Sequence, residues 1–445
     1  MAEATRVAVS IIIPSHNRRA LLRRVLEALA TQDPGTPSFE VIVVADGCRD
    51  GTEAMVLGHD APFPIRLAVC PGVGPSVARN SGVERASADL FLFLDDDVIP
   101  TRGLVAAHVA AHLDDPGRAV LGPYPPEPVA SPDSFRQNVQ RWWTAHFDEL
   151  ARPGHRFSYF DLMTGNLSLS RAIWNEIGGL DPQFARARED LELGVRLMKR
   201  GIRFYYAGSA LGWHQEHLTS SPKSVLHRAR EEGRSDVLMA LKHPDMAPML
   251  RVCRNVRRKG RRPALKFAVL RRTGFLDGAA IAIGQRLIRL IERLGLPSLR
   301  EAIERPLREY CYFRGAAEAL GGGWDDFAAT PMPPKSSPDT EIDLTGGIDA
   351  AERTLTELRP ASVRVLFDGE EMCILPAFPA TEPWSGHHLR SALVRHGGWP
   401  FAHVLAKRRY GDMATPSQAA IRMIGVSDFV VQLDEARRQW ERGHG

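Results

Sequence analysis

The sequence is poor in lysine, in cysteine and in long apolar runs, and each shortage argues against a class of protein. No lysine precedes Lys199, so arginine carries most of the positive charge. Its planar fork suits phosphate oxygens better than an ammonium does. The five cysteines (Cys48, Cys70, Cys253, Cys311 and Cys373) are odd in number and never spaced as CxxC. That pattern argues against a disulfide framework and a zinc site, and points to reduced thiols in a cytoplasmic protein. No stretch approaches the roughly 18 apolar residues of a membrane span. The best one, residues 275–290, is interrupted by Asp277, Gln285, Arg286 and Arg289. The opening MAEATRVAVSIII lacks a basic n-region and a small-residue cleavage site, so a signal peptide is not expected.

What is present describes a folded chain. Over 445 residues, 44% are hydrophobic and 25% charged, with a net charge of +4. This is a globular composition, long enough for two or three domains. Short apolar runs at residues 7–13, 39–44, 65–69 and 90–94, the first of them β-branched, read as buried strands, and helical spacing separates them. Alternation of this kind predicts a parallel sheet with helices on its faces and ligands beyond the carboxyl ends of the strands. Residues 14–17, Asp46-Gly47 and Asp95-Asp96-Asp97 all fall at such ends. The expected organisation is a catalytic domain over residues 1–220, a helical extension over 221–330, a Pro/Ser linker at 331–338 and a small α/β domain over 339–445, with further helices near residues 389–396 and 427–440.

The acid triplet is the sharpest signal. Three carboxylates after a buried apolar strand repel one another, and a divalent cation would relieve the crowding, with a diphosphate completing its oxygen shell. If strand geometry persisted past Leu94, Asp95 and Asp97 would point the same way. The bland alternative is a solvated surface loop.

Seven pieces occur in order: VSIIIPSHNR from Val9, VVADGCRDGT from Val43, ARNSG from Ala78, FLDDD from Phe93, TGN from Thr164, GGLD from Gly178 and EDLEL from Glu189. Together they resemble family 2 of the inverting glycosyltransferases, over about residues 7–220. The resemblance implies the GT-A fold and transfer of a sugar from a nucleotide-diphosphate donor, a UDP-sugar in the expected case, to an acceptor the sequence does not identify. It also implies Mn²⁺ or Mg²⁺ as cofactor. By the same resemblance, Pro14, Ser15, His16, Asn17 and Asp46 would line the nucleoside pocket, and Arg79 would contact the diphosphate or the base. Asp95 and Asp97 form the D-x-D motif, which would hold ribose and metal, and His214 would join the metal, with His217 as the competing ligand. Asp190 would be the general base, with Glu189 as the competing acid. Ala45 departs from the pattern, since family members often carry a second acid there.

Two rival readings stand beside this one. A nucleotidyltransferase would show a Gly-rich, basic loop where this chain has Pro14-Ser15-His16-Asn17. A catalytically silent sugar-nucleotide or glycan-binding protein would have no need to keep Asp95, Asp97, Asp190 and His214 together. Gly72-Val73-Gly74 reads as a turn rather than a dinucleotide fingerprint, and His387-His388 as surface or turn residues. Trp142, Trp143, Phe147 and Tyr159 are an acceptor platform or core. Ten Lys or Arg and no acid lie between Arg251 and Arg272. They read as a solvated face or as peripheral contact with an anionic membrane on its inner, cytoplasmic side. No nucleic-acid module accompanies them.

Overall fold

A computed structural model describes residues 7–397, apart from 129, 131–133, 220, 257–276, 295, 322, 324–326, 328–337 and 368. The basic run beyond Val256, most of the 331–338 linker and the helix expected near 427–440 lie outside the described residues. The chain divides into two compact units, one of residues 1–148 and 159–333, the other of residues 149–158 and 334–445. The cut at 333/334 falls inside the Pro/Ser segment. The recruitment of 149–158 into the second unit has no counterpart in the sequence reading, and residues 221–333 group with the first unit rather than apart from it.

The first unit is built on a seven-stranded sheet. Its strands are β1 (Val9–Ser15), β2 (Phe39–Asp46), β3 (Ile65–Cys70), β4 (Leu90–Leu94), β6 (Arg118–Leu121), β7 (Asn166–Ser170) and β8 (Arg203–Tyr206). A separate two-stranded ladder joins β5 (Val98–Pro100) to β9 (Gly212–His214). The large sheet runs in the order β3-β2-β1-β4-β7-β6-β8. Strands β1 to β4 are parallel, but β7 is antiparallel to both β4 and β6. The all-parallel expectation is therefore corrected to a mixed sheet. The order 3-2-1-4 puts the topological switch point between β1 and β4, which is where a ligand crevice opens in such sheets. β1 continues through Pro14 to Ser15, past the expected stop. It pairs with β2 along its length but with β4 only over Ser10–Ile12, so the missing Pro14 N–H costs no rung on that side.

Helices α1 (Arg19–Leu29), α2 (Thr52–Leu57), α3 (Pro75–Arg85), α4 (Leu104–Asp114), α5 (Ser134–Ala151), α6 (Arg171–Ile177) and α7 (Glu189–Lys199) connect or flank the strands. α1 buries Leu22, Val25, Leu26 and Leu29, the one-face spacing read from the sequence. Two long helices, Pro222–Lys242 and Pro297–Leu320, cross closely. A Cβ at Gly233 would run into the backbone of Tyr312, and one at Gly315 into that of Arg230, so the crossing requires both glycines. Arg188, at the entry to α7, pairs with Asp236 on the first of these helices, and Tyr312 on the second donates to the same carboxylate. The helical pair thus anchors the start of α7.

The second unit has a three-stranded sheet in the order β10 (Thr340–Asp343), β11 (Val363–Phe367), β12 (Glu370–Leu375), with β10 and β11 parallel and β11 and β12 antiparallel. Leu355, Val363, Val365, Leu375, Trp384 and Leu389 form its core. Residues 149–158 belong to it through Arg156, whose guanidinium lies 3.9 Å from the Trp384 ring centroid and donates to the carbonyls of Pro376, Ala361 and Glu382. His387 is exposed, but His388 is buried at the start of a short helix and accepts from the Ser385 amide. The surface reading is corrected for His388.

Candidate active site

The loop after β1 is shaped by its own backbone contacts with the loop after β2. Asn17 adopts φ 54° and accepts the Arg49 amide, while His16 Nδ1 lies 2.5 Å from the Asp46 carbonyl. The Asp46 carboxylate is engaged elsewhere. It accepts the amides of Gly72 at 2.9 Å, Val73 at 2.7 Å and Gly74 at 2.8 Å. The GxG is thus the turn expected, with φ of 90° and 91° at its glycines, a region other residues rarely adopt. Asp46 orders that turn at the mouth of α3, so any contact with a nucleoside must use the lone pairs these amides leave.

α3 carries Arg79 into the crevice. Asn80 fixes the helix by exchanging hydrogen bonds with the backbone of Leu180, in the GGLD segment. The buried Arg79 guanidinium reaches Asp95 Oδ1 at 2.6 Å and Glu189 Oε1 at 3.6 Å. It therefore joins the acid triplet to the start of α7. Its Nε and Nη1 are buried with no hydrogen-bond acceptor.

The triplet does not keep strand alternation. β4 ends at Leu94, and the Val98 amide bonds back to the Asp95 carbonyl in a turn. Asp95 consequently faces Arg79, while Asp96 and Asp97 both face Arg18, each 2.9 Å from Nη1. The expectation that Asp95 and Asp97 point alike fails because the strand stops before them. The β5–β9 ladder pairs Val98 with His214 and brings His214 Nε2 to 3.5 Å from Asp97 Oδ2. Glu216 holds the other ring nitrogen at 3.0 Å. His217 makes no such approach to the triplet among the described contacts, so His214 is the imidazole at this site.

Electrostatics follow from this packing. Burial pushes the Asp96 carboxyl up to about 7, against the pull of Arg18. Burial opposes Asp97 too, but His214 and Arg18 outweigh it and hold that carboxyl below its ordinary range. Burial lowers His214, yet Asp97 and Glu216 prevail and its affinity for a proton rises. At α7, burial and then the charge of Asp190 push Glu189 up to about 7, and burial also raises Asp190. Asp190 Oδ1 accepts the Leu191 amide at 2.8 Å. No cation lies within ion-pair distance of it among the described residues, whereas Glu189 has Arg79.

Among the described residues, no three His, Cys, Asp or Glu side chains converge as a finished metal cage. The chemistry of the donor set nevertheless fits a divalent cation. Asp97 and His214 offer an oxygen and an imidazole nitrogen side by side, and Asp95 follows from the same turn. Asp95, Asp96, Asp97, Glu189, Asp190 and Glu216 outnumber the guanidiniums of Arg18, Arg79, Arg188 and Arg228 that act on them. Burial is the first cause of the raised carboxyls, and neighbouring carboxylates add to it at Asp96 and Glu189.

Sequence reasoning missed several groups. Arg18 was only part of a motif, although a cation after β1 facing acids after the adjacent β4 is a readable signal. Tyr124 is buried, and its hydroxyl is pushed well above its ordinary range by burial and by Asp95 and Asp190, which places it near both acids. Trp143 and Phe147 pack on Tyr124, and Trp143 also packs on His214. With the buried Tyr159 they are core that backs the site, while Trp142 is exposed. Asn166 of the TGN piece bonds His108 and the carbonyls of Pro123 and Ala210, a structural role.

The model for "Glycosyl transferase family 2" matches residues 10–178. Validoxylamine A glucosyltransferase of Streptomyces hygroscopicus subsp. jinggangensis is 30% identical over 275 residues, covering 54% of this chain and 62% of its own. Chondroitin synthase of Pasteurella multocida is 26% identical over 268 residues, covering 53% and 27%. The chain spans about three fifths of the length of the first curated relatives it matches. Among solved structures, a mannosyltransferase from Pyrobaculum calidifontis in complex with GDP-Man and Mn²⁺ aligns with TM-score 0.43 and 19% identity, over 72% of this chain and 88% of that one.

Proposed function

We propose, from the premise that residues 10–178 form a glycosyl transferase family 2 domain of GT-A fold, that this chain is a metal-dependent inverting glycosyltransferase. It would use a nucleotide-diphosphate sugar, a UDP-sugar in the first instance. The observation that carries the reading is Arg79. A buried guanidinium held between Asp95 and Glu189, whose Nε has no hydrogen-bond acceptor and whose Nη1 has only the 3.6 Å ion pair with Glu189, has donor capacity left for phosphate oxygens. Buried polar groups left without partners are rare in folded proteins, so a bound anion is the economical account.

Asp190 takes the proton of the acceptor hydroxyl, the acceptor oxygen bonds to the anomeric carbon from the face opposite the leaving group, and the bond from that carbon to the diphosphate oxygen breaks. The electron pair leaves with the nucleoside diphosphate, where Arg79 donates to the growing charge. Asp95, Asp97 and His214 would hold Mn²⁺ or Mg²⁺, which when bound supplies Lewis-acid stabilisation of the same diphosphate. Pro14, Ser15, His16 and Asn17 form the rim on which the nucleoside would lie, with Asp46 ordering the turn beside it. Asp190 suits the base role because it has only one amide bond and no direct cation, and its raised pKa strengthens it as a proton acceptor.

The test is a panel of sugar nucleotides with Mn²⁺ or Mg²⁺, with release of nucleoside diphosphate to water as the readout. One donor class should be hydrolysed, and chelation should stop it. No hydrolysis of any donor, or hydrolysis indifferent to chelator, would refute the proposal.

A further inference from the structure

α7 begins in a backbone conformation that its sequence does not favour. Arg188, the residue before Glu189 and Asp190, has φ 65° and ψ 8°. Glycine and asparagine enter this left-handed region readily, and arginine does not. Side-chain contacts hold it there. Its Nε donates to Asp236 Oδ1 at 3.1 Å, and its Nη2 lies 3.7 Å from Glu232 Oε2. Asp236 is buried and is itself held, because Tyr312 donates to its other oxygen and accepts the Val252 amide at 3.0 Å. The helices Pro222–Lys242, Arg251–Val256 and Pro297–Leu320 thus converge on one carboxylate, and the start of α7 hangs from it. The later turns of α7 are fixed separately. Glu192 meets Lys242 at 2.7 Å and His243 at 3.1 Å, and Lys199 meets Asp245 at 2.7 Å. The Arg188 contact therefore governs the first turn.

We propose that Arg188 and Asp236 are positioning residues for the Asp190 carboxylate, so that the helices after the motif-bearing segment set where the base stands. The inference rests on the reading of Asp190 as the base. A buried ion pair returns little net stability once desolvation is counted, so stability alone is a poor account of this one. Helix capping is no better. Arg188 makes no side-chain cap bond, and asparagine would cap the helix and take the left-handed backbone more readily. What arginine adds is reach to Asp236. Asp236 and Tyr312 both lie beyond the residues 10–178 that the family model matches, so those residues alone do not complete the site.

The test is Arg188→Asn in the full chain, with donor hydrolysis followed against pH, donor affinity by calorimetry and local hydrogen exchange. Asn suits the left-handed backbone, and the Asp236 carboxyl, already raised by burial, can take up a proton when the arginine is gone. The variant should therefore fold. Asp190 is faced by Arg79, Arg188 and Arg228, by Glu189 and by Tyr124, so loss of Arg188 should move the acid limb to higher pH. The plateau above that limb, where Asp190 is ionised, separates placement from charge. There kcat should fall by about 10–100-fold while donor affinity stays. Exchange should quicken at residues 189–191 and not in the later turns of α7. Asp236→Asn should lower the plateau too, without the upward shift of the limb. It keeps an acceptor for Tyr312, and it carries the test if the first variant does not fold. A normal plateau, or unchanged exchange at 189–191, overturns the proposal and leaves the transferase reading standing. A loss of donor affinity equal to the loss of kcat assigns both residues to overall stability and overturns it as well. A wild type that hydrolyses no donor refutes the transferase reading and takes this inference with it.

Discussion

Replacing Asp190 by Asn separates chemistry from structure in this site. The change keeps the acceptor oxygen that receives the Leu191 amide. It removes one negative charge from the first turn of α7, worth roughly 0.3–1 kcal/mol. It also removes the repulsion that helps hold Glu189 near 7, which offsets part of that loss. Net stability should therefore move by less than about 1 kcal/mol. The ion pair of Arg79 with Asp95 is untouched, so donor affinity should stay. What disappears is the proton acceptor, and loss of a positioned base lowers turnover by about 10²–10⁴-fold. Nucleoside diphosphate release, calorimetric donor binding and melting temperature measured on one preparation make the comparison. The wild type should also show an acid limb. The base must be ionised, and burial raises the Asp190 carboxyl above its ordinary range, so the rate should climb with pH and level off once that carboxyl is ionised. The sign for stability is the reverse. A raised carboxyl favours the fold in its protonated form, and that contribution is lost as pH rises through about 7. The acid limb therefore cannot be unfolding caused by this pair. A folded, donor-binding Asp190→Asn protein with near-normal turnover would remove Asp190 from the mechanism and make Glu189 the next residue to replace.

Two further outcomes are expected. Asp97→Asn should abolish the metal dependence of nucleoside-diphosphate binding, with a loss of affinity of roughly 10–100-fold in the presence of Mn²⁺, read by calorimetry with and without metal; equal affinities would place the cation elsewhere. Arg156→Ala should destabilise the second unit by about 2–4 kcal/mol, because three carbonyl acceptors lose their donor and Trp384 loses its stacked cation, and it should leave donor hydrolysis intact, since every motif residue lies in the first unit; calorimetric unfolding alongside turnover checks both halves.

Much of this fold was legible because its signals are local. Short apolar runs gave the first four strands, and the one-face spacing of Leu22, Val25, Leu26 and Leu29 gave α1. The illegible parts are pairings between distant segments. Nothing in Val98-Ile99-Pro100 announces a ladder with Gly212-Trp213-His214, yet that ladder sets His214 beside Asp97. Nothing around Arg156 announces that residues 149–158 leave one unit for the other. Strand polarity was equally hidden, because Leu167 to Leu169 reads the same whether it runs with β4 or against it.

The acid triplet shows how the local geometry of a motif can depart from strand alternation. Period-two alternation, had the strand persisted past Leu94, would have pointed Asp95 and Asp97 the same way. The turn after Leu94 instead gives Asp96 and Asp97 a shared cation in Arg18, and leaves Asp95 to Arg79. The triplet is therefore split between two arginines that enter from different elements, one beside β1 and one on α3. Each arginine compensates buried carboxylates that would otherwise be costly to ionise, and Asp96, still pushed to about 7, shows that the compensation is incomplete. Three adjacent acids can persist at a buried strand end only with cations supplied from outside their own loop. The arginines at positions 18 and 79 are thus as much part of the acidic motif as the aspartates that define it.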